Sequence, residues 1–551
     1  MSMDPEVLLD AGAVSRCRRR VHLDHDPEMR ETALAPPDPA AELRIADAAA
    51  HRETIRQRLA GALSDATGDG PGWVNVPADL PPADRARLTE QALADGASHV
   101  WGGVLPVDHA GHRRGGAELL VRTEHGYLPV LVVRHRITDP GTGALTTDPL
   151  DLDPAHAVVD QTRKVRSHAR DQFRLAHVYR MLQPLGLAAP AAMGGVIGLD
   201  ADVVLWYDLA APNWPGGRTA LDEYDARFED RLAVAHSAAT GGPALAEPSR
   251  VLECRYCPWW PTCEAELTAS RDVSLVIRGD DAVELRRAGI STVDKLAALD
   301  PADAPPIPWQ PGVFLDAVAL ARAWQANLSV VRKVPDVGVP RADVEVDVDM
   351  ESFGESGAYL WGCLLSGADI GMERGYRSFV TWDPLPTADE ARSFAEFWAW
   401  LSEVRARAAA AGLTFRAYCY NAMAENRWLF GSAARFADLV GVPSRAEIRS
   451  FVDSEQWVDL FRSVSDQFLC TRGKGLKVVA PVAGFTWRDP EAGGEASMRW
   501  YRAAVGLDGQ VPEVAQRERL LRYNEDDVRA TRALRVWMSG PANAIPYLGD
   551  L

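Results

Sequence analysis

Residues 344–352 read Val-Glu-Val-Asp-Val-Asp-Met-Glu-Ser, an alternation of apolar and acidic side chains. That period predicts a β-strand with one apolar and one acidic face. Every second side chain of a strand points the same way, so Asp349 and Glu351 share a face, with Asp347 beside them as a spare. Carboxylates placed like this can share metal ions; taken alone, the segment reads equally well as an acidic edge strand. A second strand, YLWGCLLS, follows a Gly-containing turn, and then come a helix over Ala388–Ala411, a strand TFRAYCYN, a helix AENRWLFGSAARFADL and a last helix around YNEDDVRATRALRVWM. Strands first, then alternation with helices, predict an α/β sheet domain over residues 336–551. On the last helix Tyr523 and Asp527 stand four residues apart and so share a face.

Upstream, residues 271–335 read as a helical connector. In it ELRRAGISTVDKLAAL is similar to a helix-hairpin-helix element with Gly289 at its turn, though two packed linker helices are the commoner outcome, and DPADAPPIPWQPG is too rich in proline for one long helix. Residues 1–270 read as one further unit. It has an amphipathic helix from about Ala41 to Ala62 (Leu43, Ile45, Ile55, Leu59), a Gly/Pro/Asp-rich loop, strands in HVWGGVLPV, AELLVRT and YLPVLVVRHRI, a helix over Arg163–Leu185 and a hairpin in GGVIGLDADVVLWYDL.

Seven cysteines in 551 residues do not make a disulfide scaffold. Cys363, Cys419 and Cys470 lie among apolar or aromatic neighbours and read as core. Cys254, Cys257 and Cys263 form C-x2-C-x5-C in a Pro/Trp-rich loop, and Cys17 can supply a fourth thiolate from the far end of the unit. Four thiolates suit a structural zinc or an iron–sulfur cluster, and the spacing does not choose between them.

One remote cysteine followed by C-x2-C-x5-C resembles the iron–sulfur version of the RecB-like (PD-(D/E)xK) nuclease domain. The D-x-E strand with a distant Tyr-x3-Asp resembles the tyrosine-type DEDD exonucleases, which have an RNase H-like fold. The whole chain is similar to a bacterial family that fuses the two. The resemblance implies a structural [4Fe–4S] cluster on Cys17, Cys254, Cys257 and Cys263, with zinc as the alternative. It also implies two Mg²⁺ or Mn²⁺ ions on Asp349, Glu351, Glu425 and Asp527, with Tyr523 orienting the attacking water. Glu425, four residues after Asn421, takes the place of the family's aspartate; Asp459 is a further conceivable member. In the RecB-like pattern His51 sits on the early helix, Glu118 falls where the strand aspartate belongs, and Gln172 and Tyr179 match the later helix. Val132 stands in the place of the second acid and Arg134 in that of the lysine, and an arginine cannot deprotonate. That site reads as degraded, with Asp148 or His135 the available substitutes.

Composition bounds these readings. Hydrophobic residues make up 47% and charged residues 25% of the chain, no apolar run is long enough to span a bilayer, and the N-terminus has no secretory pattern, so a cytoplasmic protein is expected. The net charge of −18 runs against a basic nucleic-acid binder, but local stripes can offset it: Arg16, Arg18, Arg19 and Arg20 form one, and Arg163, Lys164, Arg166, His168 and Arg170 another. The expectation is a 3′→5′ exonuclease acting on DNA or RNA, single strands favoured, in repair or processing, with no membrane partner and any helicase partner undefined. The alternative is a nonenzymatic nucleic-acid-binding or scaffold protein with two relic nuclease folds.

Overall fold

The computed structural model describes residues 6–36, 39–63, 72–302, 309, 311–491 and 493–551. The chain divides into two units, Met1–Thr268 and Ala269–Leu551, so the segment 271–335 lies inside the second. The Gly/Pro/Asp-rich loop after the first long helix and most of the DPADAPPIPWQPG stretch lie outside the described residues. No helix among the described residues is long and apolar enough to cross a membrane.

The first unit is built on an eight-stranded mixed sheet. Its strands are β1 (Trp73–Asn75), β2 (His99–Trp101), β3 (Leu119–Thr123), β4 (Gly126–Val132), β5 (Leu145–Thr147), β6 (Val158–Val159), β7 (Met193–Ile197) and β8 (Val204–Asp208), in the order β1-β2-β3-β4-β7-β8-β5-β6. The near-continuous apolar run of β4 is explained by burial on both faces: Leu131 belongs to one core cluster, Leu128, Val130 and Val132 to another. β4 and β7 are parallel, and the connection between them carries helix α4. The helices are α1 (Arg18–His25), α2 (Pro39–Leu63), α3 (Pro82–Ala94), α4 (Ala169–Leu182), α5 (Ala220–Ala239) and α6 (Trp260–Ala269).

Three expectations change here. On α2, Ile55 and Leu59 are buried, but Ile45 is 67% exposed, so only the second half of the helix uses its apolar stripe. α4 begins at Ala169 rather than Arg163; Arg163–Val165 is instead a short strand paired antiparallel with Thr138–Pro140. The first basic stripe is consumed internally, because Arg16, Arg18, Arg19 and Arg20 pair with Asp10, Asp230, Glu266 and Glu253.

The second unit begins with α7 (Asp280–Arg287), α8 (Val293–Ala297) and α9 (Pro311–Gln325). Gly289, between α7 and α8, has φ +83°, a conformation that favours glycine. A five-stranded sheet follows: β9 (Val344–Ser352), β10 (Ala358–Gly367), β11 (Gly375–Val380), β12 (Phe415–Cys419) and β13 (Trp457–Asp459). The order is β11-β10-β9-β12-β13; the first three strands are antiparallel, and β12 and β13 run parallel to β9. The helices are α10 (Asp389–Ala410), α11 (Ala422–Arg435), α12 (Arg445–Val452), α13 (Leu460–Gln467), α14 (Leu476–Val479), α15 (Gly494–Val505) and α16 (Val514–Met538).

The alternation in β9 sets the layers. Val344, Val346 and Val348 join the core formed with Phe394, Phe397 and Leu401 of α10 and Leu429 of α11. The acidic face, Glu345, Asp347 and Asp349, meets α16 through Arg535 and Asn524. One central strand therefore anchors the core on one side and carries charge on the other.

Candidate active site

Where β9 meets α16, three carboxylates converge. One ligating oxygen each of Asp349, Glu351 and Asp527 lies within 4.8 Å of the others, the one such group of three or more potential metal ligands among the described residues. β9 supplies two because Asp349 and Glu351 are two apart on a strand; α16 supplies the third. Across the ladder Gly362 of β10 stands opposite Asp349. A Cβ at Gly362 would collide with the side-chain oxygen of Asn524, so glycine is what lets α16 approach here. Asn524 Nδ2 donates to Asp349 Oδ2 at 2.8 Å, and its Oδ1 accepts from the Tyr376 hydroxyl at 2.8 Å. Trp487 Nε1 donates to Asp527 Oδ1 at 2.6 Å. Tyr523, one turn before Asp527, accepts from Lys477 Nζ at 2.8 Å.

These acids are short of positive charge. Burial, then the charges of Asp527, Glu351 and Glu425, raise Asp349 well above the usual carboxylate range. Burial, with Asp527 next, pushes Glu351 up to about 8. Asp527 is raised by burial against the opposing pull of Lys477. Glu425, on the first turn of α11, is pushed up to about 8 by burial. Its Oε2 is buried with no hydrogen-bond partner among the described residues. Glu425 lies outside the group of three, close enough for its charge to act on Asp349 and Glu351. Buried oxygens without enough internal cations are a donor set suited to hard divalent ions.

Neighbouring acids are differently placed. Asp347 is no spare ligand: its two oxygens accept from Arg535 Nε and Nη2, both at 2.8 Å, while Arg535 Nη1 reaches Glu345 at 2.5 Å. Asp459 lies outside the group of three, and its charge acts on Glu425. It caps α13, accepting the Phe461 N–H at 2.9 Å, and also accepts the Asn421 N–H at 3.0 Å. Asn421, in the left-handed region at φ +72°, is the residue that turns the chain from β12 into α11.

The corresponding positions of the first unit are only partly engaged. Glu118 Oε1 accepts from Arg174 of α4 at 2.6 Å while its Oε2 is buried with no hydrogen-bond partner among the described residues, and Arg134 pairs with Asp47 of α2 at 2.8 Å. Val132 is buried core. His51 is half-buried, with burial and then Arg134 lowering its pKa, and its Nε2 has no hydrogen-bond partner among the described residues. Gln172 accepts from Trp214 Nε1 at 3.0 Å, and the buried Tyr179 hydroxyl donates to Ala189 O at 2.9 Å, so both serve packing. The two possible substitutes are also engaged: Asp148 caps its own turn at Leu150, and His135 pairs with Asp171 at 2.8 Å. In the same unit Cys17, Cys254, Cys257 and Cys263 line one pocket together with Arg19 and Arg20. Cys363, Cys419 and Cys470 are buried.

The five-stranded sheet thus carries a C-terminal helix that closes acids over its central strand, and a family match supports an RNase H-like domain, a nuclease-type fold, in this unit. The RNase_H_2 family model, of the RNase_H superfamily, matches residues 433–539. The matched segment contains Lys477, Trp487, Tyr523 and Asp527 and leaves out β9. No curated protein matches the chain, and no solved structure matches it.

The sequence reading missed Lys477, Trp487 and Asn524. Lys477 lies in the four-residue α14 and Trp487 in irregular chain after it, both too short of periodicity to mark a side chain as facing the site. Asn524 did leave a signal: a lone glycine inside the apolar run of β10, which marks a close approach.

Proposed function

We propose that the protein is a metal-dependent nuclease acting as a 3′→5′ exonuclease through its C-terminal unit, with nucleic acid, single strands favoured, as substrate. The observation that carries this reading is the convergence of one oxygen each of Asp349, Glu351 and Asp527 within 4.8 Å. These three and Glu425 would hold two Mg²⁺ or Mn²⁺ ions, which when bound activate the attacking water and stabilise the leaving oxygen. Asn524 fixes one oxygen of Asp349 and Trp487 one oxygen of Asp527, which orients both carboxylates before any ion arrives. Tyr523 orients the water. Hydrolysis of an end-labelled single strand with Mn²⁺, releasing mononucleotides from the 3′ end, is the expected result; a protein inert with Mg²⁺ and Mn²⁺ on single strands, duplexes and RNA would turn the reading to the nonenzymatic scaffold.

The first unit, in this reading, is a RecB-like module that grips nucleic acid without cutting it, because Val132 stands in the place of the second acid, Arg134 in that of the lysine, and Arg174 pairs with Glu118. Its four cysteines fit a [4Fe–4S] cluster better than zinc. At a Zn–S length of about 2.3 Å, tetrahedral geometry sets the sulfurs about 3.8 Å apart. Among the described residues no three ligand atoms of this set fall within 4.8 Å of one another, while all four cysteines line the same pocket. Arg19 and Arg20 at that pocket offset the thiolate charge. Burial pushes the Cys263 thiol up to about 12, so loading must displace protons. Anaerobically purified protein is expected to be brown, and Cys257→Ser to lose the colour together with the metal and part of the first unit's thermal stability. Colourless protein with stoichiometric zinc would replace the cluster by the ion.

A further inference from the structure

Lys477 belongs to none of the patterns that located the site, yet it is built into it. Its ammonium has three donors and no acceptor, so at 2.8 Å the Tyr523 oxygen must be the acceptor. The same ammonium lies 4.3 Å from the centre of the Tyr523 ring and 5.6 Å from that of Trp487. Trp487 in turn is anchored to Asp527, and the Tyr523 hydroxyl is within hydrogen-bonding reach of the Asp527 carboxylate. Lysine, tyrosine, aspartate and tryptophan therefore close a ring of contacts, and the two aromatic faces restrict where the ammonium can swing.

We infer that Lys477 is a positioning residue that fixes the Tyr523 hydroxyl as a hydrogen-bond donor into the reaction site. With a lone pair of the phenol oxygen occupied by an ammonium, the O–H must point away from Lys477, toward Asp527 or toward the water that takes its place beside the metal ligands. A phenol so held offers a proton in a hydrogen bond and is not the base that removes one. Lys477 touches the tyrosine and not the reacting atoms; its charge also acts on Asp349, Glu351 and Asp527, an effect that saturating Mn²⁺ holds constant, so what remains should travel through Tyr523. The inference rests on the nuclease reading above.

The test is a double-mutant cycle on the full chain with saturating Mn²⁺: Lys477→Met, Tyr523→Phe and the pair, each read as kcat and KM on a labelled single strand. Each single change is expected to lower kcat by roughly ten- to a hundredfold with KM little moved, and the pair no further than the worse single change. Lys477→Arg, which keeps the charge and the donors, should recover part of the loss. Wild-type kcat in Lys477→Met, or losses that multiply in the pair, would overturn the inference. A merely structural lysine would lower the melting temperature and leave the cycle additive. Fluorine NMR of fluorotyrosine placed at position 523 reads the contact without activity: its resonance should move in Lys477→Met, and a resonance that does not move overturns the inference even in an inert protein. An inert wild type with a moving resonance would instead sink the nuclease reading and leave the contact standing.

Discussion

Each unit brings acids to a central sheet under a helix, and the two treat them in opposite ways. In the first, Glu118 beside β3 is held by Arg174 of α4, and Asp47 by Arg134. In the second, Asp349, Glu351 and Asp527 face each other among an amide, an indole, the hydroxyls of Ser497 and Tyr523 and a nearby lysine. The contrast recurs within β9: Glu345 and Asp347, on the same face as Asp349, share the buried Arg535. A buried carboxylate needs a cation or takes up a proton. Where a guanidinium of the chain supplies the cation, the acid is structural. Where the chain withholds it, the position is open to a cation from solution.

The largest effect expected from that contrast is on chemistry. Asp349→Ala or Asp527→Ala should lower hydrolysis by at least about a thousandfold while nucleic-acid binding, measured by fluorescence anisotropy, stays near wild type. Folded variants of both that cleave at the wild-type rate would erase the distinction between the two kinds of acid. Arg535→Met should act in the reverse way. It leaves Glu345 and Asp347 buried without their shared partner, so a loss of about 3–5 kcal/mol is expected in denaturant unfolding. If the variant is as stable as wild type, the Arg535 pair is not what makes those acids structural.

A third difference is one of pH. Unfolded glutamates titrate near 4.5, whereas metal-free folded Glu351 and Glu425 are both pushed up to about 8. Between these values the folded state binds more protons than the unfolded state. The metal-free protein therefore loses stability as pH rises through this window, and its best stability from these groups lies below it. A divalent ion binds the deprotonated acids, so the rise in melting temperature on adding Mn²⁺ should be larger at pH 8.5 than at pH 6. Equal rises would mean that the acids are already charged without metal.

How far the sequence carried the reading depended on periodicity. β9, β10, α10, α11 and α16 were legible because each runs for more than two turns of helix or several strand pairs with a clean apolar period. β11 and β13 were not. β13 spans three residues and β11, at the sheet edge, has one fully buried side chain, so neither carries enough alternation to stand out. At the site, Asp349, Glu351 and Asp527 were legible from spacing. Asp347 shows the limit of that method, since spacing puts it on the right face and only the tertiary position of Arg535 tells it apart. In the first unit the substitutions at Val132 and Arg134 could be read, but the partners of Glu118 and Arg134, which are Arg174 on α4 and Asp47 on α2, come from other helices and could not.

The smallest expected effect is the sharpest check on the first unit. Glu118→Ala removes the acid that would hold a metal there if the RecB-like site were active. It also frees Arg174, whose side chain is 31% exposed and can turn to water. A partly exposed pair costs little to lose, about 1 kcal/mol or less, so the melting temperature should fall slightly. Cleavage by the second unit should stay within roughly twofold of wild type, since no step of transition-state stabilisation passes through Glu118. The absence of an effect is informative because Asp349→Ala removes an acid too, with a very different outcome expected. Loss of all cleavage in a folded Glu118→Ala variant that keeps its brown colour would mean that the arginine pairing is a resting arrangement, opened when nucleic acid and metal bind. The first unit would then be the one that cuts.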